Sequence, residues 1–591
     1  MKNKLRPRAS SLLLSLLTLS TLVYSANVQA LISELFLPRE GIRKPEYKVS
    51  VERNVALITS DGVALVSDIF YPKTDEKTPT ILVRIPFTKT FMNKLRADAV
   101  ARFWASRGYT VVIQGSRGRY KSGGKYYPLS HERRDGIETL AWLAKQPWFD
   151  GRLGMWGGSA FGYTQWVLAD QLNPGPSALM IQISSTNFYG MFYPGGAFSL
   201  ESALFWAVRS HGEKDKDPSL GDLERGYDGF PLIHADDRAI GDIPFFNDWV
   251  NHATRDEYWA DIDGQDRART IQAPVLLMAG WYDPFLPTQI SDFIRIRREA
   301  ISHAAKSSRI IIGPWVHADT ITLPNGAKPG DYRKASLAPS IEWFDRHLSS
   351  RTPALQVQPV KIYVMGENQW RDEQEWPLAR TRYTNFYLHS AGKANGSSGD
   401  GLLSLDMPLY SENPDAYIYD PRNPVPSRGG AMLGPRAGIK LQNEIETRKD
   451  VLVYSTLPLK KDLEITGTVQ LVLHVATSAP NTDFTAKLVN VYPDGKAYNI
   501  SDGILRRHYL TTNESTNRST EISIDLWPTS ILFREGHRIR LEVSSSNYPR
   551  YDRNPNTGSP IATETHSIVA TQTIFHDPTT PSRLILPIIP R

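Results

Sequence analysis

The chain of 591 residues contains no cysteine. This absence excludes disulfide bonds, catalytic thiols and metal sites built from thiolates. Stability therefore has to come from packing, and hydrophobic residues make up 41% of the chain, enough for sizeable cores. A chain of this length predicts about two to four domains.

Several functional motifs are also missing. The sequence has no His-Glu-x-x-His stretch, its 13 histidines are scattered, and the pair His317 and Asp319 offers too few ligands for a zinc site. A metallohydrolase is therefore disfavoured, and we expect neither a metal nor another cofactor. Long basic runs are absent too, which argues against nucleic acid as a partner.

The apolar run near the amino terminus, residues 12–23, is too short to span a membrane. Four basic residues precede it between positions 2 and 8, and Val28-Gln29-Ala30 offers small residues to a signal peptidase. These features predict a secretory signal peptide over residues 1–30, cleaved near Ala30. Its removal lowers the formal net charge from +6 to +2. We expect a secreted or periplasmic bacterial protein without a membrane anchor.

Short apolar runs alternate with helix-like segments over residues 48–195 and 271–350. The runs are rich in β-branched residues, as buried parallel strands are. This alternation predicts an α/β domain with a mostly parallel sheet covered by helices on both faces. One helix, predicted over residues 132–145, carries Ile137, Leu140 and Leu143 on one face.

The alternation breaks over residues 196–270, a charged, helix-rich segment with many aromatic residues. We interpret it as a helical cap over the strand ends that shapes a pocket; a solvated excursion with no role in binding is the alternative. A proline-containing linker at 351–359 follows the α/β domain. Short strands separated by Gly and Pro then fill residues 360–591 and predict a jelly-roll β-sandwich.

One stretch, Gly157-Gly158-Ser159-Ala160-Phe161-Gly162, follows an apolar run and precedes a helix-like segment. Strand, glycine turn, serine and helix form the context of a nucleophile elbow. The first backbone N–H groups of such a helix, that of Ala160 included, point at the reacting oxygen. By itself, this stretch fits a glycine-rich connection without chemistry equally well.

Two later strand ends supply the other groups that a serine nucleophile needs. Asp283 follows the apolar run at 275–282, and His317 follows the run at 309–316. Both positions lie past the carboxyl ends of strands, where sites form in open α/β sheets. Ser159, Asp283 and His317 also stand in the order of an α/β-hydrolase triad. His317 would remove the serine proton and Asp283 would orient the imidazole.

These motifs resemble those of the bacterial cocaine esterase-like (CocE/NonD) hydrolases, which are grouped with the X-Pro dipeptidyl-peptidases and the α-amino-acid ester hydrolases. The resemblance implies an α/β-hydrolase domain with a helical cap, a carboxyl-terminal jelly roll and an acyl-enzyme on Ser159. It runs in order through nearly the whole mature chain. The stretches that carry it are Arg84–Lys89, Gly154–Trp166, Gly280–Phe285, Gly313–His317, Val364–Asp372, Asp483–Val489 and Val543–Asn554.

One departure from the family concerns the oxyanion hole. Phe87 stands where the resemblance places a tyrosine whose hydroxyl helps to form the hole, so one donor is lost and the N–H of Ala160 remains. Two hypotheses follow: an exported serine hydrolase acting on small esters or amides, and a catalytically weakened relative that binds a ligand. The complete Ser/Asp/His set favours the hydrolase.

The residues after Asp283 bear on the substrate. Relatives that act on α-amino esters carry acidic residues there, whereas this chain has Pro284 and Phe285. Trp206 and Phe285 are expected to line an acyl pocket for aromatic or aliphatic groups. X-Pro dipeptidyl-peptidase or α-amino-acid ester hydrolase activity stays an alternative. The sequence determines neither the natural substrate nor the oligomeric state, and a homodimer is one alternative.

Overall fold

The structure is a computed structural model, and it describes residues 42–87, 91–212, 218–264, 267–317, 321–330, 332–349, 357–508 and 519–591. The predicted signal peptide, and the residues Ala318 and Asp319, lie outside these ranges. Among the described residues, no helix is both long and apolar enough to cross a membrane.

A ten-stranded sheet forms the centre of the amino-terminal part of the chain, as far as it is described. Its strands are β1 (Val49–Ile58), β2 (Ala64–Pro72), β3 (Thr78–Ile85), β4 (Thr110–Gly115), β5 (Phe149–Gly158), β6 (Ala178–Gln182), β7 (Val275–Tyr282), β8 (Arg309–Val316), β9 (Val360–Val364) and β10 (Gln369–Glu373). Their spatial order is β1-β2-β4-β3-β5-β6-β7-β8-β9-β10. The strands from β4 to β9 pair in parallel. β1, β2 and β10 make the antiparallel pairs at the two edges.

Helices cover this sheet and form the insertion above it. They are α1 (Phe91–Ala105), α2 (Glu132–Leu143), α3 (Ala160–Trp166), α4 (Phe188–Phe192), α5 (Leu200–Ser210), α6 (Leu220–Tyr227), α7 (Ala235–Ala239), α8 (Pro244–Asn251), α9 (Glu257–Ile262), α10 (Leu286–Glu299), α11 (His303–Lys306) and α12 (Tyr332–Leu348). Successive strand residues enter two different hydrophobic cores: Leu82 and Leu277 lie in one, Ile81 and Leu276 in the other. Both faces of the sheet are therefore buried, as the predicted α/β fold requires.

The apolar face of α2 is only partly buried. Leu140 and Leu143 lie in the core, whereas Ile137 is 38% exposed. The inward positions also carry acids that pair with two buried arginines: Glu132 lies 2.9 Å from Arg84, and Asp135 lies 2.7 Å from Arg117. Buried arginines need such partners, and this demand outweighs the apolar pattern of the helix.

The region between α4 and α10 is helical, in agreement with the predicted cap. Its aromatic side chains join the same hydrophobic core as one face of the sheet. The carboxyl-terminal domain binds the first residues of this helical region. Asp552 accepts a 2.8 Å hydrogen bond from the N–H of Phe198, and Glu201 accepts one of 3.0 Å from the N–H of Gly434. Burial raises the pKa of Glu201 to about 7. The cap is thus fixed between the two domains.

The carboxyl-terminal domain is all-β, as predicted. Its described strands are β11 (Arg382–His389), β12 (Leu402–Ser404), β13 (Asp415–Tyr419), β14 (Leu452–Ser455), β15 (Leu463–Thr477), β16 (Asn481–Val491), β17 (Ala497–His508), β18 (Thr520–Phe533), β19 (Arg538–Ser544), β20 (Ala570–Phe575) and β21 (Arg583–Ile589). The order β13-β20-β15-β21-β11-β12-β14-β19-β16-β17 links them, with β18 on β15.

The change from one sheet to the other does not fall at residue 360, where the sequence places the start of the β domain. β9 and β10 extend the first sheet, with β9 parallel to β8. The short β-branched run of β9 fits either sheet equally well, so composition alone cannot tell which neighbour it pairs with.

Candidate active site

The predicted elbow is a sharp turn between β5 and α3. β5 ends at Gly158, α3 begins at Ala160, and Ser159 between them has φ 57° and ψ −126°. A non-glycine residue adopts this conformation only where the surroundings enforce it, as they do at functional sites. A Cβ atom on Gly162 would lie 2.6 Å from the Cβ of Ser184, and one on Gly157 would lie 2.5 Å from that of Phe161. The glycines therefore permit the tight turn.

Ser159, His317 and Asp283 lie in one hydrogen-bonded row. The Nε2 atom of His317 is 2.9 Å from the Oγ of Ser159, and its Nδ1 is 2.6 Å from Oδ2 of Asp283. Asp283 is fully buried, and its Oδ1 accepts a 2.9 Å hydrogen bond from the N–H of Phe285. The His317 side chain is 12% exposed. The structure thus brings together the three residues that the sequence proposed.

An irregularity in the pairing of β7 with β8 aligns Asp283 with His317. Gly280 pairs with Gly313, but Tyr282 pairs with Val316, so β8 has one extra residue there. The bulge presses Trp315 against Gly280, where a Cβ would lie 2.4 Å from the carbonyl oxygen of Trp315. Because Tyr282 and Val316 are paired, the residues that follow them leave the sheet side by side.

The oxyanion side of the site lies at the start of α3. Ala160 is the first residue of that helix, so its N–H has no acceptor within the helix. Phe87, two residues beyond β3, is half-buried, and its ring centroid is 5.2 Å from that of Phe161. Phe87 therefore lies beside the elbow, and its ring brings no hydroxyl group there.

Comparison with known proteins places the chain in a family. The profile of the X-Pro dipeptidyl-peptidase (S15) family matches residues 61–319, and that of the X-Pro dipeptidyl-peptidase carboxyl-terminal non-catalytic domain matches residues 355–585. The chain is 38% identical to the cocaine esterase of Rhodococcus sp. (strain MB1 Bresler) over 581 residues, which cover 92% of this chain and 99% of the relative. The chain belongs to the S15 family. It is therefore a hydrolase, and its resemblance to the cocaine esterase-like group is confirmed.

Solved structures share the fold of this S15 hydrolase. An α-amino acid ester hydrolase matches with a TM-score of 0.74 at 22% identity, covering 93% of this chain and 98% of its own. A CocE/NonD family hydrolase from Staphylococcus aureus matches with a TM-score of 0.64 at 17% identity, covering 94% of this chain and 99% of its own. At these identities the likeness concerns the fold alone.

Aromatic rings adjoin the triad on its imidazole side. The Phe285 ring lies 5.8 Å from the His317 ring, the Phe188 ring lies 5.1 Å from Phe285, and Trp206 of the cap lies 6.3 Å from Phe188. Phe285 thus contacts the triad directly, whereas the rings of Phe188 and Phe285 lie between Trp206 and His317. The sequence analysis missed Phe188, which begins α4 just beyond β6. Its place after a strand end was the available signal.

Two buried carboxylates hold the segment that carries Phe188. Asp292 of α10 accepts hydrogen bonds from Ser185 and from the N–H of Thr186, at 2.7 and 2.9 Å. Asp263 accepts one of 2.8 Å from the N–H of Phe188 itself. Burial raises the pKa of Asp292 to about 6, although its hydrogen bonds work in the opposite direction. The segment that carries Phe188 is therefore held both by α10 and by the residue that follows α9.

Within the described residues, one group of acidic side chains lies close enough together to contact a common cation: Asp236, Asp237 and Asp242 of the cap. Each carboxylate already has a partner in the protein. Asp236 accepts from the N–H of Ile243, and the other two contact His234 and Asn247. We assign this group no role in the chemistry of the site.

Proposed function

We propose that this S15 hydrolase cleaves carboxylic ester bonds of small substrates through an acyl-enzyme on Ser159, and that it acts after export from a bacterial cell. Amides of similar shape are secondary substrates. The observation that carries the proposal is the continuous row from Ser159 through His317 to Asp283, with contacts of 2.9 and 2.6 Å.

In this mechanism, His317 takes the proton of the Ser159 hydroxyl as its oxygen attacks the substrate carbonyl. The imidazolium then gives that proton to the departing alcohol, and water, activated by the same imidazole, releases the acid. Asp283 accepts from Nδ1 and keeps Nε2 free to act as the base. Because Phe285 donates to the other oxygen of Asp283, that carboxylate is held in the orientation this task requires.

Negative charge develops on the carbonyl oxygen in the transition state, and fixed donors aimed at it lower the barrier. The N–H of Ala160 is one such donor, at the positive end of α3. Phe87 supplies none. We therefore expect good turnover of activated esters and slow turnover of unactivated ones.

The acyl side of the site is apolar. Pro284 and Phe285, which directly follow Asp283, offer no carboxylate to an α-ammonium group. This composition supports an esterase over the aminopeptidase-type and α-amino-ester activities. Export is supported by the basic start, the apolar run and the small residues before residue 31.

The test is hydrolysis of p-nitrophenyl butyrate by the mature chain and two serine variants. Ser159→Ala should reduce kcat by at least about 10³-fold, whereas Ser184→Ala, a buried serine beside the elbow, should retain activity within a few-fold. A pre-steady-state burst of about one nitrophenol per active site should mark the acyl-enzyme. Equal hydrolysis by wild type and Ser159→Ala would refute the proposal.

A further inference from the structure

The turn that carries Ser159 holds the backbone in a strained conformation. With φ 57° and ψ −126°, Ser159 adopts a conformation that a non-glycine residue keeps only where its surroundings enforce it. The N–H of Ser159 donates a 2.9 Å hydrogen bond to the carbonyl oxygen of Gln182, at the end of β6. The carbonyl oxygen of Ser159 accepts from the N–H groups of Gly162 and Tyr163 in α3. These bonds fix Ser159 to the sheet and to the helix.

The side chain of Gln165 links the two sides of this turn. Gln165 lies in α3, six residues after Ser159, and is 1% exposed. Its Nε2 atom donates to the carbonyl oxygen of Gly157 at 3.1 Å and to that of Phe161 at 3.3 Å. Gly157 and Phe161 stand two residues before and two residues after Ser159. A single amide group therefore holds both ends of the turn that carries the nucleophile.

The amide of Gln165 contributes donors alone. Among the described residues, its buried Oε1 atom has no hydrogen-bond partner. Both bonded atoms are carbonyl oxygens, which only accept, so the NH₂ group has to face the turn. The turn is also tightly packed, because a Cβ atom on Gly157 would lie 2.5 Å from the Cβ of Phe161. A side chain without donors would therefore deprive two carbonyl groups of this turn of a hydrogen bond.

We propose that Gln165 is a positioning residue for the nucleophile. Its two hydrogen bonds keep Ser159 in the strained conformation in which the hydroxyl oxygen lies 2.9 Å from Nε2 of His317. This inference rests on the proposed ester hydrolysis and adds a residue to the same site. Gln165 acts through Ser159, and reaction rates depend steeply on the placement of the reacting atoms. Loss of the two bonds should therefore lower kcat and leave substrate binding nearly unchanged.

The experiment replaces Gln165 by methionine, which keeps the length of the side chain and removes both donors. On p-nitrophenyl butyrate, Gln165→Met should lower kcat at least about tenfold and change KM by no more than about twofold. The rate at which a fluorophosphonate labels Ser159 should fall by a similar factor. Each variant is assayed at a temperature at which its measured unfolding curve shows it to be fully folded.

A matched control is Gln289→Met. Gln289 of α10 is also fully buried, and its Nε2 donates to the carbonyl oxygens of Met278 and Ile181 in β7 and β6, at 3.1 and 3.5 Å. Its Oε1 atom likewise has no partner among the described residues. The same chemical change is thus made in the same sheet, but away from the turn of Ser159. Gln289→Met should lower Tm and keep kcat within about twofold of the wild type.

A second variant, Gln165→Glu, tests the donor role directly. A protonated glutamic acid can donate its O–H to a carbonyl oxygen, whereas a carboxylate only accepts and would repel both carbonyl oxygens. Burial should raise the pKa of this introduced group above the usual value of about 4.3. The ratio of kcat for Gln165→Glu to kcat for the wild type should therefore fall as the pH rises from about 5.5 to about 9. Taking the ratio removes the titration of His317 that both proteins share.

A Gln165→Met variant with the kcat of the wild type overturns the inference, as does an equal loss of kcat in Gln289→Met. A Gln165→Glu ratio that stays constant or rises with pH overturns it too. Each of these results leaves the proposed function standing as long as Ser159→Ala is inactive. Equal hydrolysis by the wild type and Ser159→Ala overturns the proposed function as well.

Discussion

The imidazole Nε2 of His317 lies 2.9 Å from the hydroxyl oxygen of Ser159, although 158 residues separate them in the chain. The sheet order explains this contact. Ser159 follows β5 and His317 follows β8, and only β6 and β7 lie between them. Four parallel strands that end at one edge deliver the serine, the loop of Phe188, the aspartate and the histidine to a single place.

Replacement of Asp283 by asparagine should lower kcat about 10³–10⁴-fold with a smaller change in KM. Phe285 donates to Oδ1, so the amide oxygen of asparagine would take that position and its NH₂ group would face Nδ1 of His317. The imidazole would then carry its proton on Nε2 and could not accept one from Ser159. Steady-state kinetics on p-nitrophenyl butyrate measure the effect. A loss below tenfold would show that Asp283 does not set the tautomer.

Replacement of Phe87 by tyrosine should raise kcat at least about tenfold with little change in KM, because a restored oxyanion donor acts in the transition state. The comparison needs one p-nitrophenyl ester and one alkyl ester, and the gain should be larger for the alkyl ester. Phe161→Tyr, on the ring that packs against Phe87, serves as the control and should give no gain. If Phe87→Tyr is no faster on either ester, the ring does not face the reacting oxygen.

A phenylacetyl ester should be hydrolysed at least about tenfold faster, in kcat/KM, than the phenylglycine ester of the same alcohol. The second substrate brings an ammonium group that finds Pro284 and Phe285 where a carboxylate is needed, and desolvating an unpaired charge is costly. The Phe285→Asp variant should have a lower ratio of kcat/KM for the phenylacetyl ester to kcat/KM for the phenylglycine ester. An advantage of the wild type for the amino ester would contradict the esterase assignment.

His576 in the carboxyl-terminal domain should make the stability depend on pH. Its two ring nitrogens lie 2.9 Å from Glu412 and 3.1 Å from Asp415. Burial alone would lower the pKa of His576, but the hydrogen bonds and charges of both carboxylates outweigh it, and the pKa is raised. The folded state therefore favours the imidazolium.

The direction in which stability changes with pH follows from the raised pKa of His576. The contribution of His576 is fully present below the pKa of an unfolded histidine, about 6.5, and is lost as the pH rises through the folded pKa. The difference in Tm between wild type and His576→Gln should therefore be largest near pH 6 and shrink towards pH 9. The exposed His234 on the cap provides the control, since His234→Gln should show a smaller change. A difference that grows with pH would contradict the argument.

The triad was predictable because each of its residues directly follows a strand, and strand ends are visible in sequence as the last residue of an apolar run. The glycines around Ser159 fitted an elbow and a connection without chemistry equally well, and Asp283 and His317 at the later strand ends decided between the two. Phe188 was missed although it too follows a strand, because it stands six residues beyond β6 and its contact with Phe285 depends on how the chain folds back over the sheet.

Two fold details were beyond the sequence in the same way. Ile137 fits an apolar helical face, but the buried Arg84 and Arg117 bring acidic residues of α2 inward. The sequence of β9 predicts one more short strand, but its pairing with β8 depends on packing across the whole molecule. Local periodicity defines elements, whereas long-range partners decide which face and which sheet they join.

The central claim is that Ser159 is the nucleophile. The most direct measurement is labelling of the mature protein with a fluorophosphonate, followed by mass spectrometry of the peptides to locate the adduct. The account predicts one adduct, on Ser159, and none in the Ser159→Ala variant, while Ser184→Ala labels like the wild type. An adduct that maps to another residue, or labelling that persists in Ser159→Ala, would contradict it.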